Sequence, residues 1–127
     1  MRIGMIGLGK MGANMTQRLL RGGHEVVVTD VNPQAIESAV AMGAIGATDL
    51  ADMIANLSAP RIVWVMIPAG DPTENMITQL GTLLDAGDVI IDGGNSNYKD
   101  TIRRGAMLAE KHIHFVDVGT SGGVWGL

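Results

Sequence analysis

Apolar, β-prone runs alternate along the chain with stretches that are apolar on one helical face. Ile62–Ile67 (IVWVMI) is apolar throughout, which is typical of a strand that is buried on both faces of a parallel sheet. The predicted strands are Arg2–Ile6, Glu25–Thr29, a very short Ala44–Ala47, Ile62–Ile67, Val89–Ile91 and Ile113–Val118.

Helices are predicted between these strands by apolar spacing and by helix-end signals. Lys10–Arg21 places Met11, Met15, Leu19 and Leu20 on one face and is followed by Gly22-Gly23, a typical helix stop. The other helices begin at a capping residue or proline and run from Pro33 to about Met42, from a Thr48 cap to about Leu57, from the Asp71-Pro72-Thr73-Glu74 start to just before Gly87, and from Asn97 to Lys111.

The alternation of strands and helices predicts one domain that spans residues 1–127. Strands separated by helices of this length pair in parallel through right-handed crossovers. We therefore expect an α/β protein with a doubly wound Rossmann fold, a mainly parallel sheet and helices on both of its faces.

The amino-acid composition argues against several classes of partner and site. The formal net charge of −4 argues against a nucleic-acid partner, and the absence of cysteine excludes disulfides and thiolate zinc sites. No targeting segment is recognisable, and the longest apolar run is too short to cross a bilayer. We expect a cytoplasmic protein without a membrane partner.

Glycine and polar residues collect after the predicted strands, where a doubly wound sheet binds its ligands. These segments are Gly7–Gly12, Asp30, Pro68–Gly70, Asp92–Ser96 and Gly119–Gly123.

The segment Gly7–Gly12 reads G-x-G-x-x-G between a strand and a helix, which is the context of a dinucleotide-binding turn. Gly7 permits the tight turn, Gly9 lets the backbone approach a pyrophosphate, and Gly12 allows the helix to pack closely on the strand. The N–H groups at the helix start would then bind the phosphates. The alternative is a glycine-rich turn that binds no ligand.

Asp30 lies 18 positions after Gly12, close to the distance at which such proteins carry an acidic residue for the ribose of NAD. Its charge would repel the 2′-phosphate of NADP, and residues 29–36 contain no Lys or Arg to compensate. We therefore predict NAD rather than NADP. The alternative is that Asp30 only caps the following turn.

Other polar residues carry weaker signals. Lys10 is a candidate phosphate contact, and the alternative is that its side chain is only solvated. His112 and His114 are predicted to share one face of the last strand, without a third ligand for a metal site. His24 is predicted to be structural, and Trp64 is predicted to lie in the core.

Three segments carry a resemblance to a known family. Gly7–Met15 resembles the cofactor fingerprint of the β-hydroxyacid dehydrogenases. Ile91–Ser96 (IDGGNS) resembles a loop of the 6-phosphogluconate dehydrogenases, and Asp117–Gly123 resembles their substrate-binding S-G-G segment. Asp30-Val31-Asn32, in place of the Asn-Arg-Thr of NADP-using members, and Trp125 resemble the shorter, NAD-preferring bacterial branch.

The resemblance implies a set of site residues. Those that would hold the cofactor are Gly7, Leu8, Gly9, Lys10, Met11, Gly12, Asp30, Ile67, Pro68, Ala69 and Asn95. Those that would bind the substrate are Asn95, Ser121, Gly122 and Gly123.

The resemblance also implies an activity, the oxidative decarboxylation of 6-phosphogluconate to ribulose 5-phosphate and CO₂. The family's catalytic lysine and glutamate lie on a helix beyond the position of Leu127, so this sequence supplies no catalytic residue and is expected to be inactive alone. The helical domain that follows in the family makes a homo-oligomer. Two alternatives stay open: another β-hydroxyacid dehydrogenase, such as 3-hydroxyisobutyrate dehydrogenase, and a stand-alone NAD-binding module.

Overall fold

The computed structural model describes residues 2–67, 71–93 and 98–117, without the side chains of residues 71–74, 98–102 and 117. Strands and helices alternate in chain order as β1 (Arg2–Ile6), α1 (Lys10–Arg21), β2 (Glu25–Thr29), α2 (Pro33–Ala41), β3 (Ile45–Gly46), α3 (Leu50–Ala55), β4 (Ile62–Val65), α4 (Asp71–Leu83), β5 (Val89–Asp92), α5 (Tyr98–Ala109) and β6 (His114–Asp117). The predicted order of elements is confirmed.

The described strands form one parallel sheet in the order β3-β2-β1-β4-β5-β6. Strand β1 lies at the centre, where Gly4 is opposite Val27 on β2 and opposite Val63 on β4. Strands β2 and β3 therefore extend the sheet from β1 toward one edge, and β4, β5 and β6 extend it toward the other edge. This is the topology of a doubly wound Rossmann fold, as predicted.

Helices cover both faces of the sheet over two aliphatic cores, also as predicted. Val27 points into one core and its neighbours Val26 and Val28 into the other, because side chains alternate along a strand. Helices α1 and α2 cover the smaller core, to which Trp64 also belongs. The larger core lies under the other three helices and includes Met53 of α3, Leu80 of α4 and Leu108 of α5.

The start of α3 differs from the prediction. Asp49, not Thr48, is the capping residue, because its Oδ1 accepts the N–H of Asp52 at 2.8 Å. The Asp52 carboxylate in turn accepts the N–H of Thr48 at 2.9 Å. Both residue types cap helices, and the hydrogen bond from Thr48 to the Asp52 carboxylate favours a helix that begins one residue later.

Positive φ angles end α1 and α5. Gly23 has a φ of 86°, and the N–H of His24 closes the end of α1 on the carbonyl of Leu19, which agrees with a structural place for this histidine. His112 has a φ of 59° in the turn after α5, and Ile113 closes the turn by donating to Leu108. The prediction that His112 lies on a strand beside His114 was therefore wrong.

Two negative findings concern the described residues only. No helix in the described ranges has the length and apolar character that crossing a bilayer requires. Within the same ranges, no three His, Asp or Glu side chains come together as a metal site would require.

A buried carboxylate network stabilises the edge of the sheet at which the strands begin. The fully buried Asp88 accepts the backbone N–H of Arg61 at 2.7 Å, the backbone N–H of Asp85 at 2.8 Å and the Arg61 guanidinium at 3.2 Å. Burial raises the pKa of Asp88, but these donors outweigh it and hold that pKa below its usual value.

We expect Asp88→Asn to lower the free energy of unfolding at neutral pH by about 3 kcal/mol, because an amide cannot accept from all three donors. The depressed folded-state pKa means that the wild-type carboxylate stabilises the fold above the unfolded pKa of about 3.9 and loses this contribution as the pH falls through the folded-state pKa. The difference between variant and wild type, measured by urea unfolding across pH, should shrink on acidification.

Asp85→Asn is the matched control, since Asp85 pairs with the same arginine at 3.0 Å but is 76% exposed. Its cost should stay within about 1 kcal/mol. Equal losses in the two variants would contradict the importance of the buried network.

Candidate nucleotide-binding site

The candidate site lies where the sheet order reverses. Strand β1 pairs with β2 on one side and β4 on the other, and the helices that follow β1 and β4 lie on opposite faces. The chain therefore leaves neighbouring strands in diverging directions and opens a crevice at their carboxyl ends. The predicted glycine-rich turn, residues 7–12, occupies this position.

Two of the three glycines are required by close packing. Gly7 has a φ of 95°, and a Cβ there would lie 2.5 Å from the carbonyl oxygen of Met66. A Cβ on Gly12 would overlap the carbonyl oxygen of Gly7. The start of α1 can approach the end of β1 only because neither residue carries a side chain, as the motif predicts.

Gly9 differs, because a Cβ there would meet no atom within 4 Å. The residue caps α1 with an extended backbone and makes no side-chain hydrogen bond to the helix. The first turn contains no acidic residue and begins with the exposed Lys10. An open approach to uncapped N–H groups beside a lysine suits an anion.

Asp30 reaches the same turn. Its Oδ2 accepts the N–H of Leu8 at 2.5 Å, and its Oδ1 accepts the N–H of Asn32 at 2.9 Å. The bond to Asn32 is the contact expected if Asp30 only caps the following turn. The bond to Leu8 shows that Asp30 does more than cap that turn. An ionised carboxylate accepts about four hydrogen bonds, so acceptor capacity is left for ribose hydroxyls.

A cleft of about 750 Å³ continues from Asp30 between the ends of β1 and β2, the start of α3 and one side of α4. Its walls include Asp49 and Val31, a residue that is 97% exposed. Among the residues that the structure describes, no Lys or Arg lines it.

The far wall of this cleft is formed by residues that the sequence did not single out. Met76, Gln79 and Leu83 of α4 line it, and their spacing places them on one helical face. That spacing was visible in the sequence, but it did not reveal that this face borders a cleft.

The remaining predicted residues divide into two groups. Ile67 follows β4, is half-buried and packs against the larger core, close to Gly7. Outside the described residues lie Pro68, Ala69, Asn95, Ser121, Gly122, Gly123 and Trp125.

A second feature that the sequence did not predict is a buried ion pair at the end of β5. The Asp92 carboxylate lies 3.6 Å from the guanidinium of Arg104, and the exposure of the two side chains is 0% and 1%. The pair ties the middle of α5 to the strand end. Next to it, the N–H of Gly93 donates to Val65 of β4 at 2.9 Å.

Together, the turn, the uncapped helix start and the carboxylate after β2 define the class as a dinucleotide-binding Rossmann domain. Comparison with known proteins gives the family. A family model described as the NAD binding domain of 6-phosphogluconate dehydrogenase matches residues 2–127, and the chain belongs to this family.

Among curated relatives, YqeC of Bacillus subtilis is 46% identical over 126 residues, which are 99% of this chain and 42% of that protein. The NAD(+)-dependent, decarboxylating 6-phosphogluconate dehydrogenase of Haloferax volcanii is 39% identical over 126 residues, 99% of this chain and 41% of the relative. The chain thus spans less than half the length of these relatives.

Solved structures of dehydrogenases share the fold of this chain. Plasmodium falciparum 6-phosphogluconate dehydrogenase superposes with a TM-score of 0.83 and 29% identity, over 91% of this chain and 26% of that one. Mycobacterium tuberculosis 3-hydroxyisobutyrate dehydrogenase superposes with a TM-score of 0.86 and 28% identity, over 98% and 42%.

The packing separates the glycines into two kinds that substitution can test. Gly12→Ala should lower the free energy of unfolding by about 2 kcal/mol, because the added methyl overlaps the Gly7 carbonyl. Gly9→Ala, the matched control, enters open space and should cost less than about 1 kcal/mol. Chemical denaturation without ligand measures both, and a Gly9→Ala loss as large as that of Gly12→Ala would contradict this packing.

Proposed function

We propose that this chain binds NAD across the crevice and presents its nicotinamide to 6-phosphogluconate in a decarboxylating dehydrogenase. The observation that carries the proposal is the Asp30 carboxylate, which lies between the glycine-rich turn and the cleft. The first turn of α1 would take the pyrophosphate, the cleft would take the adenosine, and Asp30 would accept hydrogen bonds from the ribose hydroxyls.

The charge distribution favours NAD over NADP. Asp30 and Asp49 both line the cleft, and no described Lys or Arg does. A 2′-phosphate placed beside Asp30 would meet a like charge, which costs at most about 4 kcal/mol for unit charges 4 Å apart at an effective dielectric near 20. The lysine of the turn, Lys10, is proposed as a phosphate contact at the other end of the site.

When bound, NAD would accept the hydride that leaves C3 of the sugar acid as the 3-hydroxyl gives its proton to a base, and the resulting β-keto acid would lose CO₂ to give ribulose 5-phosphate. In this scheme the chain's own residues bind and orient, and they take no part in proton transfer. Asn95 would contact both nicotinamide and substrate, and Ser121, Gly122 and Gly123 would hold the substrate. Location in the cytoplasm and a homo-oligomer made by a helical domain are proposed with this activity.

A second candidate is another β-hydroxyacid dehydrogenase. The superposition on 3-hydroxyisobutyrate dehydrogenase at 28% identity favours it. The loop sequence Gly93-Gly94-Asn95-Ser96 argues for 6-phosphogluconate instead, because it resembles that of the 6-phosphogluconate enzymes and the 3-hydroxyisobutyrate branch carries a different loop.

Calorimetric titration with the two cofactors tests the proposal. We expect NAD to bind at least about tenfold more tightly than NADP, because only NADP places a phosphate against Asp30. Gly9→Ala should abolish most NAD binding while leaving the chain folded, since its methyl occupies the approach to the pyrophosphate. Equal affinities for the two cofactors, or unchanged NAD binding by Gly9→Ala, would overturn the proposed mode of binding.

A further inference from the structure

The Asp30 carboxylate makes hydrogen bonds to two separate segments. One partner, Leu8, belongs to the glycine-rich turn 22 residues earlier in the chain. The other, Asn32, begins the next helix and caps it by accepting the N–H of Gln34 at 3.0 Å. A residue that served only to contact ribose would not need either bond.

The bond to Leu8 extends the pairing of β1 and β2 beyond the strands. The last backbone bond on this side runs from the N–H of Gly7 to the carbonyl of Thr29 at 3.0 Å. The side chain of Asp30 supplies the next acceptor, for Leu8. Immediately afterwards the chain turns through Gly9 into α1, so the carboxylate holds the turn at the point where it leaves the sheet.

The side chain of Leu8 also restrains the start of the turn, because it is buried in the smaller core. It is 8% exposed and packs in the smaller core with Met5 and Val28. With its side chain held in the core and its N–H held by Asp30, Leu8 has little freedom to rotate its peptide planes. The direction in which the Gly9 backbone faces the crevice depends on both restraints.

We propose that Asp30 is a positioning residue for the phosphate-binding turn, in addition to any contact that it makes with ribose. The inference rests on the proposed nucleotide site. Its consequence is that replacing Asp30 weakens the binding of dinucleotides whether or not they carry ribose hydroxyls near it. A substitution made there to admit NADP would also loosen the turn that holds the pyrophosphate of either cofactor.

The experiment compares Asp30→Asn with Asp49→Asn. Each variant removes one negative charge from the cleft wall. In Asp30→Asn the amide can accept from Leu8 or from Asn32 in the wild-type geometry, but its NH₂ group then opposes the other N–H. Among the described residues, the Asp49 side chain bonds only to Asp52 at the start of its own helix, and asparagine caps helices as well as aspartate does.

Two ligands separate the roles of Asp30: NAD, and an NAD analogue whose adenosine ribose lacks both hydroxyls. Titration calorimetry of wild type and both variants should show that Asp30→Asn binds the analogue about tenfold more weakly than wild type does. Asp49→Asn removes a charge from the same cleft wall but leaves the turn intact, so it should weaken binding of the analogue less than Asp30→Asn does.

The outcomes are distinguishable. If Asp30→Asn binds the analogue as wild type does, or if Asp49→Asn loses as much affinity, the positioning role is refuted while NAD binding by the wild type still supports the proposed function. If wild type binds neither ligand, the proposed function fails and the positioning role of Asp30 fails with it.

A measurement on the wild-type chain does not depend on how well a variant folds. The nuclear magnetic resonance spectrum without ligand should show a scalar coupling across the hydrogen bond between the Leu8 nitrogen and the Asp30 carboxyl carbon. The Leu8 amide should exchange slowly with solvent, and Asp30→Asn should speed this exchange severalfold. Absence of the coupling from the wild-type spectrum would overturn the proposal.

Discussion

The contact between the start of α1 and the end of β1 is the constraint on which the site depends. Because a methyl group on Gly12 would overlap the Gly7 carbonyl, the helix can begin this close to the strand only with glycine at both positions. The approach points the first turn of α1 into the crevice between diverging chain segments. A helix that began farther from the sheet would direct the same N–H groups into solvent.

The rest of the fold supports that contact from both sides. Strand β1 lies at the centre of the sheet, so its carboxyl end is held by backbone pairing to β2 and to β4. Leu8 enters one core and Ile6 the other, which prevents the segment that leads into the turn from shifting toward either face. Acidic side chains line the cleft that continues from the crevice, and no Lys or Arg among the described residues does, so the proposed attraction for an anionic cofactor rests on backbone dipoles and Lys10.

The order of elements, the parallel topology and the packing roles of Gly7 and Gly12 could be predicted from the sequence, because each follows from local pattern. What it could not supply were choices between neighbouring residues and contacts across the fold. Thr48 and Asp49 are both good caps, and the carboxylate of Asp52 decides between them. His112 looked like part of a strand because its left-handed backbone conformation leaves no mark in the apolar pattern. The bond from Leu8 to Asp30 joins residues 22 positions apart, a distance at which periodicity carries no information.

The network around the buried Asp88 carboxylate lies at the edge where the strands begin, whereas the crevice lies where they end. The two edges are separated by the length of the strands, so this network takes no part in the contacts that would meet a cofactor. The loops around the crevice can therefore exchange side chains, and with them ligand preference, without weakening the network beneath. Such a division would let one scaffold diversify its chemistry by small steps, each tolerated because the far edge keeps the sheet assembled.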